Sequence, residues 1–338
     1  MSSQDNIYPL VSVVVPAYNN ETHIAGTLAS IIAQDYPNIE IIVVNDASTD
    51  GTEAVAQRIL AGCGRPFSII KHKENRGVSA ARNTGMDAMR GEFLWFMDSD
   101  DMAENTLVST LYALVNKYQC DLAFCGFKDR FEDGHPDALV PVELKGATIR
   151  NGEELVWLRV FRKIAPHICG MLLRKQFVFK AGLRFYEGCT AGEDVEFQLK
   201  AFCRAGQAAF TLECLYIYVH HAGMGSIRDN DSKEKHRRRY QDNMAAEIRT
   251  AQYLSEQAPS ERIKNVADSF LLPKALIRQF TLFAKTNDRA EFKKLLSDRS
   301  TRKTLTESKK FLFQKPEIYG KAFLLLYFPD IYYHMRRE

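Results

Sequence analysis

Three acidic clusters hold the side chains best suited to chemistry: Asp46, the run Asp98-Ser99-Asp100-Asp101, and Glu193-Asp194. Carboxylates as close as Asp98 and Asp100 repel one another unless a cation sits beside them, and carboxylates with water suit a hard ion such as Mg²⁺ or Mn²⁺. If the chain stays extended past Met97, alternation puts Asp98 and Asp100 on one side and Ser99 on the other. A divalent metal holding a diphosphate is the chemistry such a pair serves. Asp194 follows Gly192 at the start of a helical pattern, where the helix dipole keeps a carboxylate ionised, as a general base must be. Taken alone, each cluster has a plainer reading: an acidic turn is usually a solvated helix cap, Asn45-Asp46-Ala47-Ser48 is good loop sequence, and a lone Tyr18 more often packs than binds. Position shifts the balance for the second cluster. The strand it follows, Phe93 to Met97, has no polar face, so its end is partly buried and unpaired acids there would cost several kcal/mol.

These residues need elements to bring them together, and the first third of the chain alternates short β-branched runs with helical patterns. Strands are expected at Val11 to Val15, Ile39 to Val44, Phe67 to Ile70, Phe93 to Met97 and Leu122 to Phe127, with a later one at Leu212 to Val219. Helices are expected between them, with Ile24, Leu28 and Ile31 on one face of the first, and again over Gly192 to Phe202. Asp50 with Glu53 reads as a capping box, Asn151 with Glu154 as a second cap, and Asp129 to Pro141 as a loop or hairpin. Strands apolar on both faces belong to covered, mostly parallel sheets. In an open α/β sheet ligands bind outside the carboxyl ends of the strands, so Tyr18, Asp46 and Asp98 should converge.

The 338-residue length suggests about two domains, at roughly 150 residues each. A hydrophobic content of 46% and a charged content of 26% exclude disordered, collagen-like and coiled-coil classes. Forty-five basic residues nearly cancel 42 acidic ones, so no dedicated nucleic-acid binder is expected. Seven cysteines lack CxxC spacing and the first residues carry no basic, apolar leader, which predicts reduced thiols and a cytoplasmic protein. The apolar run Ala322 to Phe328 stops at Pro329, short of the ~20 residues of a spanning helix.

Four segments then carry a resemblance: Val13-Val14-Val15-Pro16-Ala17-Tyr18-Asn19, Val43 to Thr52 with Asn45-Asp46 at its centre, Asn75-Arg76-Gly77-Val78-Ser79-Ala80-Ala81-Arg82-Asn83-Thr84-Gly85, and Asp98-Ser99-Asp100-Asp101. In this order and spacing the chain resembles the inverting glycosyltransferases of family 2, with the GT-A fold, a Rossmann-like α/β sheet flanked by helices. The resemblance continues at Gly192-Glu193-Asp194 and, more loosely, from His220-His221 to Gly225-Ser226-Ile227. It implies a GT-A catalytic domain over residues 1–230, leaving 231–338 as a mainly helical extension.

The resemblance also implies roles. The donor would be a UDP-sugar, with Pro16, Tyr18 and Asn19 in the nucleotide loop, Tyr18 against the uracil and Asp46 accepting from a uracil ring nitrogen. Arg82 would help hold the nucleotide, Asp98 would lie near ribose and metal, and Asp100 would ligate Mn²⁺ or Mg²⁺. Asp194 would be the general base, with Glu193 and His221 supporting; His220 is the other histidine in reach of that role. Asn45 departs from the second acid found in many relatives. The implied reaction is inverting sugar transfer to a hydroxyl of a saccharide acceptor, lipid-linked acceptors included, in bacterial surface polysaccharide assembly. A sugar-nucleotide nucleotidyltransferase is the competing enzyme class, but Pro16-Ala17-Tyr18-Asn19-Asn20 lacks its glycine-rich basic loop. A non-catalytic nucleotide-binding subunit is the third reading, opposed by intact Asp98, Asp100 and Asp194.

The last segment is distinct. Between Thr301 and Glu338 eight basic residues face four acidic ones, interleaved with Phe311, Phe313, Tyr319, Phe323, Tyr327, Phe328, Ile331, Tyr332 and Tyr333. That mixture suits either an anionic membrane surface or a packed closing helix. Peripheral attachment to the inner membrane face is the expectation it raises.

Overall fold

The computed structural model describes residues 8–142, 144, 148–221 and 233–337, so the segment Gly225-Ser226-Ile227 lies outside the described residues. The chain divides into two compact units, residues 1–236 and 237–338.

The first unit is built on one sheet of ten strands: β1 (Val11–Ala17), β2 (Ile39–Asn45), β3 (Phe67–Lys71), β4 (Phe93–Phe96), β5 (Met102–Ala103), β6 (Leu122–Phe131), β7 (Ala138–Val140), β8 (Ile149–Asn151), β9 (Met171–Arg174) and β10 (Gln207–His220). Its order is β3-β2-β1-β4-β9-β6-β10-β5, with β7 on β6 and β8 on β10. The strands from β3 to β4 are parallel, and every residue of β1, β2 and β4 is buried, as runs without a polar face require. The far half is mixed: β9 runs antiparallel between β4 and β6, and β6 pairs in parallel with β10. β1 lies between β2 and β4, so the chain order reverses there and opens a crevice at the strands' carboxyl ends.

Helices α1 (Ile24–Ile32), α2 (Thr52–Leu60), α3 (Val78–Ala88), α4 (Leu107–Tyr118), α5 (Gly152–Val160), α6 (Lys175–Lys180) and α7 (Glu193–Arg204) complete this unit. Two contacts set where its functional helices lie. A Cβ on Gly85 of α3 would meet Val14 Cγ1 at 2.2 Å, so only glycine lets α3 settle this close on β1. A Cβ on Gly152 would meet the Phe202 carbonyl at 2.0 Å, which holds α5 equally close to α7.

Several local expectations change in three dimensions. β4 ends at Phe96 and a turn occupies Ser99 and Asp100, so strand alternation does not set the sides of Asp98 and Asp100. The capping box at Asp50 does not form: Asp50 accepts from Thr52 N–H at 3.0 Å, while Glu53 turns to Asn45 Nδ2 at 2.6 Å and Lys71 Nζ at 2.7 Å. Pairing of β2 with β3 brings those partners together, and a charged amine outcompetes a backbone N–H. Asn151 does cap α5, accepting from Glu154 N–H at 2.7 Å. Asp129 to Pro141 is a hairpin, with β6 running on to Phe131 and β7 folding back on it.

The later helices are α8 (Lys233–Gln257), α9 (Glu261–Val266), α10 (Leu272–Lys285), α11 (Arg289–Ser297), α12 (Arg299–Glu307), α13 (Pro316–Tyr327) and α14 (Pro329–Arg337). Between α9 and α10 the ladder widens to a π-helix over Ala267–Leu271, just ahead of Pro273, which brings no N–H to it. In the second unit Tyr332 and Tyr333 are buried, bonded to Thr281 and Asn287, and Leu325 and Ala322 join that core. Phe313, Phe323, Tyr327, Phe328, Ile331 and Met335 stay exposed. Among the described residues no helix is long and apolar enough to cross a membrane. All seven cysteines are free, and only Cys63 and Cys214 are not fully buried.

Candidate active site

Three loops meet at the carboxyl ends of β1, β2 and β4. Asn19, in the left-handed region at φ 46°, accepts from Thr49 N–H at 2.8 Å and donates its own N–H to Ser48 Oγ at 3.0 Å. Asn20 Nδ2 donates to Ser99 Oγ at 2.9 Å, tying the same loop to the segment after β4. Pro16 sits within β1, opposite Val44, and Tyr18 projects from its end half-exposed.

Asp46 is buried, and its carboxylate fixes the turn before α3. It accepts from Gly77 N–H at 2.7 Å on Oδ2, and from Arg76 N–H at 2.9 Å and His72 Nδ1 at 2.6 Å on Oδ1. Gly77 begins α3 with φ 86°, a conformation glycine adopts freely. Asn45, the position that departs from the family pattern, works locally, accepting from Ser48 N–H and donating to Glu53.

Arg82, one turn before Gly85 on α3, is 2% exposed and joins the strand ends to α7. Its Nη2 donates to Asp98 Oδ1 at 2.7 Å and its Nη1 to Asp194 Oδ1 at 2.5 Å. Beneath it lies the Phe185 ring, 5.1 Å from the guanidinium carbon and stacked on Phe197 of α7. Its Nε is buried without a partner. Burial alone would raise Asp98, but Arg82 and His167, with hydrogen bonds from Arg82 and Cys169, hold it below the ordinary carboxylate range. Glu193 goes the other way: burial and then the Asp194 charge push it up to about 7. Gly192, at φ 88°, starts α7, so both acids stand in its first turn.

The acids after Asp98 divide in role. Asp101 is buried and accepts from the Tyr216 hydroxyl and from Val219 N–H at 2.7 Å, which makes it a tie to β10. Among the described residues the Asp100 carboxyl has no tie to β10, and burial together with the Asp98 charge raises it. His221 Nε2 donates to the Asp100 carbonyl at 2.8 Å, and its ring stacks on His23 at 3.6 Å between centroids. Its Nδ1 is buried, 3.2 Å from Glu132 Oε2 but without hydrogen-bond geometry. His23, Glu132 and His221 each offer a ligand atom within 4.8 Å of the others, as do Asp98, His167 and Cys169. His220 instead pairs with Asp129 at 2.8 Å and stacks on Phe131.

The structure thus gathers Asp98, Arg82, Asp194 and Glu193 at one place, sets Asp100 beside His221, and keeps Tyr18, Asn19 and Asp46 on the adjoining loops. Sequence reasoning missed His72, His23, Asp101 and His167. His72 and His23 meet Asp46 and His221, far from them in sequence, and Asp101, though part of the acidic run, takes its partner Val219 118 positions away, so no local spacing marks these roles.

A family model described as "Glycosyl transferase family 2" matches residues 12–183. Over 213 residues the chain is 32% identical to the "Uncharacterized glycosyltransferase EpsJ" of Bacillus subtilis, covering 62% of this chain and 61% of that protein. It is 32% identical over 131 residues to the "Putative teichuronic acid biosynthesis glycosyltransferase TuaG" of the same organism, covering 39% of this chain and 52% of that one. The crystal structure of S. aureus TarS 1-349 in complex with UDP-GlcNAc shares the fold, with a TM-score of 0.66 at 21% identity over 97% of this chain and 89% of TarS 1-349.

Proposed function

Because the chain belongs to glycosyl transferase family 2, we propose that it transfers a sugar from a UDP-sugar to a hydroxyl of a saccharide acceptor with inversion, in surface polysaccharide assembly. The observation that carries this reading is the Asp98–Arg82–Asp194 bridge, which ties the crevice at the strand ends to a carboxylate at a helix start. The TuaG name and the UDP-GlcNAc complex of TarS support the pathway and the nucleotide.

In this reading the uracil lies against Tyr18, beside Asp46. Among the described residues Asp46 Oδ2 receives only the Gly77 N–H and keeps acceptor capacity for a ring N–H. The acceptor hydroxyl attacks the anomeric carbon as its proton passes to Asp194. The C–O bond to UDP breaks, and UDP leaves with the bonding pair. Arg82 occupies Asp194 Oδ1, so Oδ2 is the oxygen that takes the proton. No covalent enzyme intermediate is needed.

A divalent metal fits the residues present. Asp100 is raised by burial and by Asp98, a repulsion that a cation relieves, and His221 Nδ1 is a buried nitrogen lacking a hydrogen bond. Carboxylates with water suit Mn²⁺ or Mg²⁺, with Asp98 and Asp100 as holders, and a supporting imidazole at His221 favours Mn²⁺ of the two. When bound, the metal offsets the charge that develops on the departing diphosphate.

The catalytic unit in this reading is residues 1–230, with 231–338 as the helical extension, whose exposed aromatic and basic face attaches to an anionic membrane near a lipid-linked acceptor. The deciding experiment is a UDP-release screen across nucleotide sugars with Mn²⁺, with and without saccharide acceptors. Release from UDP-sugars that rises with acceptor is the expected result, and release from none of them overturns the reading.

A further inference from the structure

Arg159, in the last turn of α5, is a cation set beside the base with no counter-ion. Its Nε donates to Gln198 Oε1 at 3.0 Å, and Gln198 is itself fixed by donating to the Pro166 carbonyl at 2.9 Å. Gln198 is 1% exposed and lies four residues after Asp194, on the same face of α7. The close α5–α7 approach at Gly152 seats the helix that carries Arg159 against the helix that carries Gln198. Arg159 therefore cannot swing away to bulk water without breaking a part-buried hydrogen bond.

Its two Nη groups have neither a hydrogen-bond nor an ion-pair partner among the described residues, and neither is fully buried. The nearest charges that act on it are Arg162, which repels it, and Asp194, which attracts it from beyond ion-pair distance. Burial and Arg162 both weaken its hold on its proton. Arg162 is exposed and in the left-handed region at φ 56°. A partly buried guanidinium beside a second cation is costly unless an anion arrives. Its planar fork matches the two oxygens of a carboxylate or phosphate.

The elements that hold Arg159 say which substrate brings that anion. Among the described residues its side chain makes no bond to the loops after β1, β2 or β4 and is tied to the helix that carries the base, where the acceptor hydroxyl must sit. We propose that Arg159, oriented by Gln198, forms a subsite for an anionic group, carboxylate or phosphate, carried by the acceptor saccharide next to the hydroxyl that is glycosylated. This rests on the transfer reading above and narrows it to acidic or phosphorylated acceptors.

The test uses the full chain with UDP and Mn²⁺, titrated with glucuronic acid, glucose 6-phosphate or glucose and followed by saturation-transfer NMR. At least one of the two anionic sugars should bind about tenfold tighter than glucose, the size expected of a charge-assisted hydrogen bond. Whichever of the two is preferred identifies the carboxylate or the phosphate as the source. Arg159→Gln should bring the three ligands to parity, and Arg159→Lys, which keeps the charge but loses the fork, should leave an intermediate preference. Equal binding of all three by the wild type, or a preference unchanged in both variants, overturns the subsite. Weakened UDP binding in Arg159→Gln places the anion on the donor and overturns the assignment to the acceptor. Failure of the wild type to bind UDP at all strikes the transfer reading instead.

Discussion

At Arg82 one buried guanidinium serves two carboxylates, and in the transfer reading those carboxylates belong to different substrates. Asp194→Asn keeps a hydrogen-bond acceptor for Arg82 but removes the proton acceptor. Sugar transfer should fall by about 10² to 10⁴ with UDP affinity retained, as measured by UDP release and calorimetry. Asp100→Ala should abolish Mn²⁺ binding seen by electron paramagnetic resonance while leaving the circular dichroism spectrum intact. Glu193 gives a pH signature. Its folded pKa, about 7, exceeds the ordinary 4.5, so the folded state binds its proton more tightly. Its contribution to stability is complete below about 4.5 and is lost as pH rises through about 7. Glu193→Gln should remove that part of the fall in Tm, and parallel Tm curves for the two proteins would refute the assignment. Asp98 to Asp101 were legible because they follow a strand without a polar face, and Glu193 and Asp194 because they open a helical pattern after Gly192. Their division of labour was not: Asp101 turns to Tyr216 and Val219, partners more than a hundred residues away, and nothing near it in sequence separates it from Asp100.

At the scale of elements, the parallel half of the sheet was readable from apolar runs of the right length, α3 from an alanine-rich stretch stopped by Gly91, and α7 from its periodicity. β9 and β5 were not, since strands of four and two residues fall below what alternation can register. β9 is nonetheless what joins β4 to β6 and so closes the sheet behind the site. Glycines reveal how the helices are seated. Gly85→Val would force α3 off β1 against Val14 and shift Arg82, one turn away; we expect a loss of about 1 to 3 kcal/mol in urea unfolding and a disproportionate loss of transfer. Gly62→Ala, where nothing lies within 4 Å, is the matched control and should leave both unchanged.

At the scale of the whole molecule, the near-neutral sum of charges conceals an uneven distribution, with acids at the strand ends and basic residues in the later helices. The structure divides the aromatic tail into two sets: Tyr332 and Tyr333 belong to the core of the second unit, while Tyr327, Phe328 and Ile331 face outward. Replacing those three by serine should leave the fold intact and reduce sedimentation with anionic liposomes; undiminished sedimentation would remove the membrane role. The cysteines have a separate consequence. Burial pushes the Cys125 thiol to about 12 and Cys203 to about 11, and it raises Cys120, Cys169 and Cys214 as well, so thiolate is scarce at these positions in neutral solution. Cys63, partly exposed in the turn after α2, and Cys214 are the two thiols open to a maleimide dye, so Cys214→Ser gives a protein with a single optical reporter outside every residue assigned to the reaction.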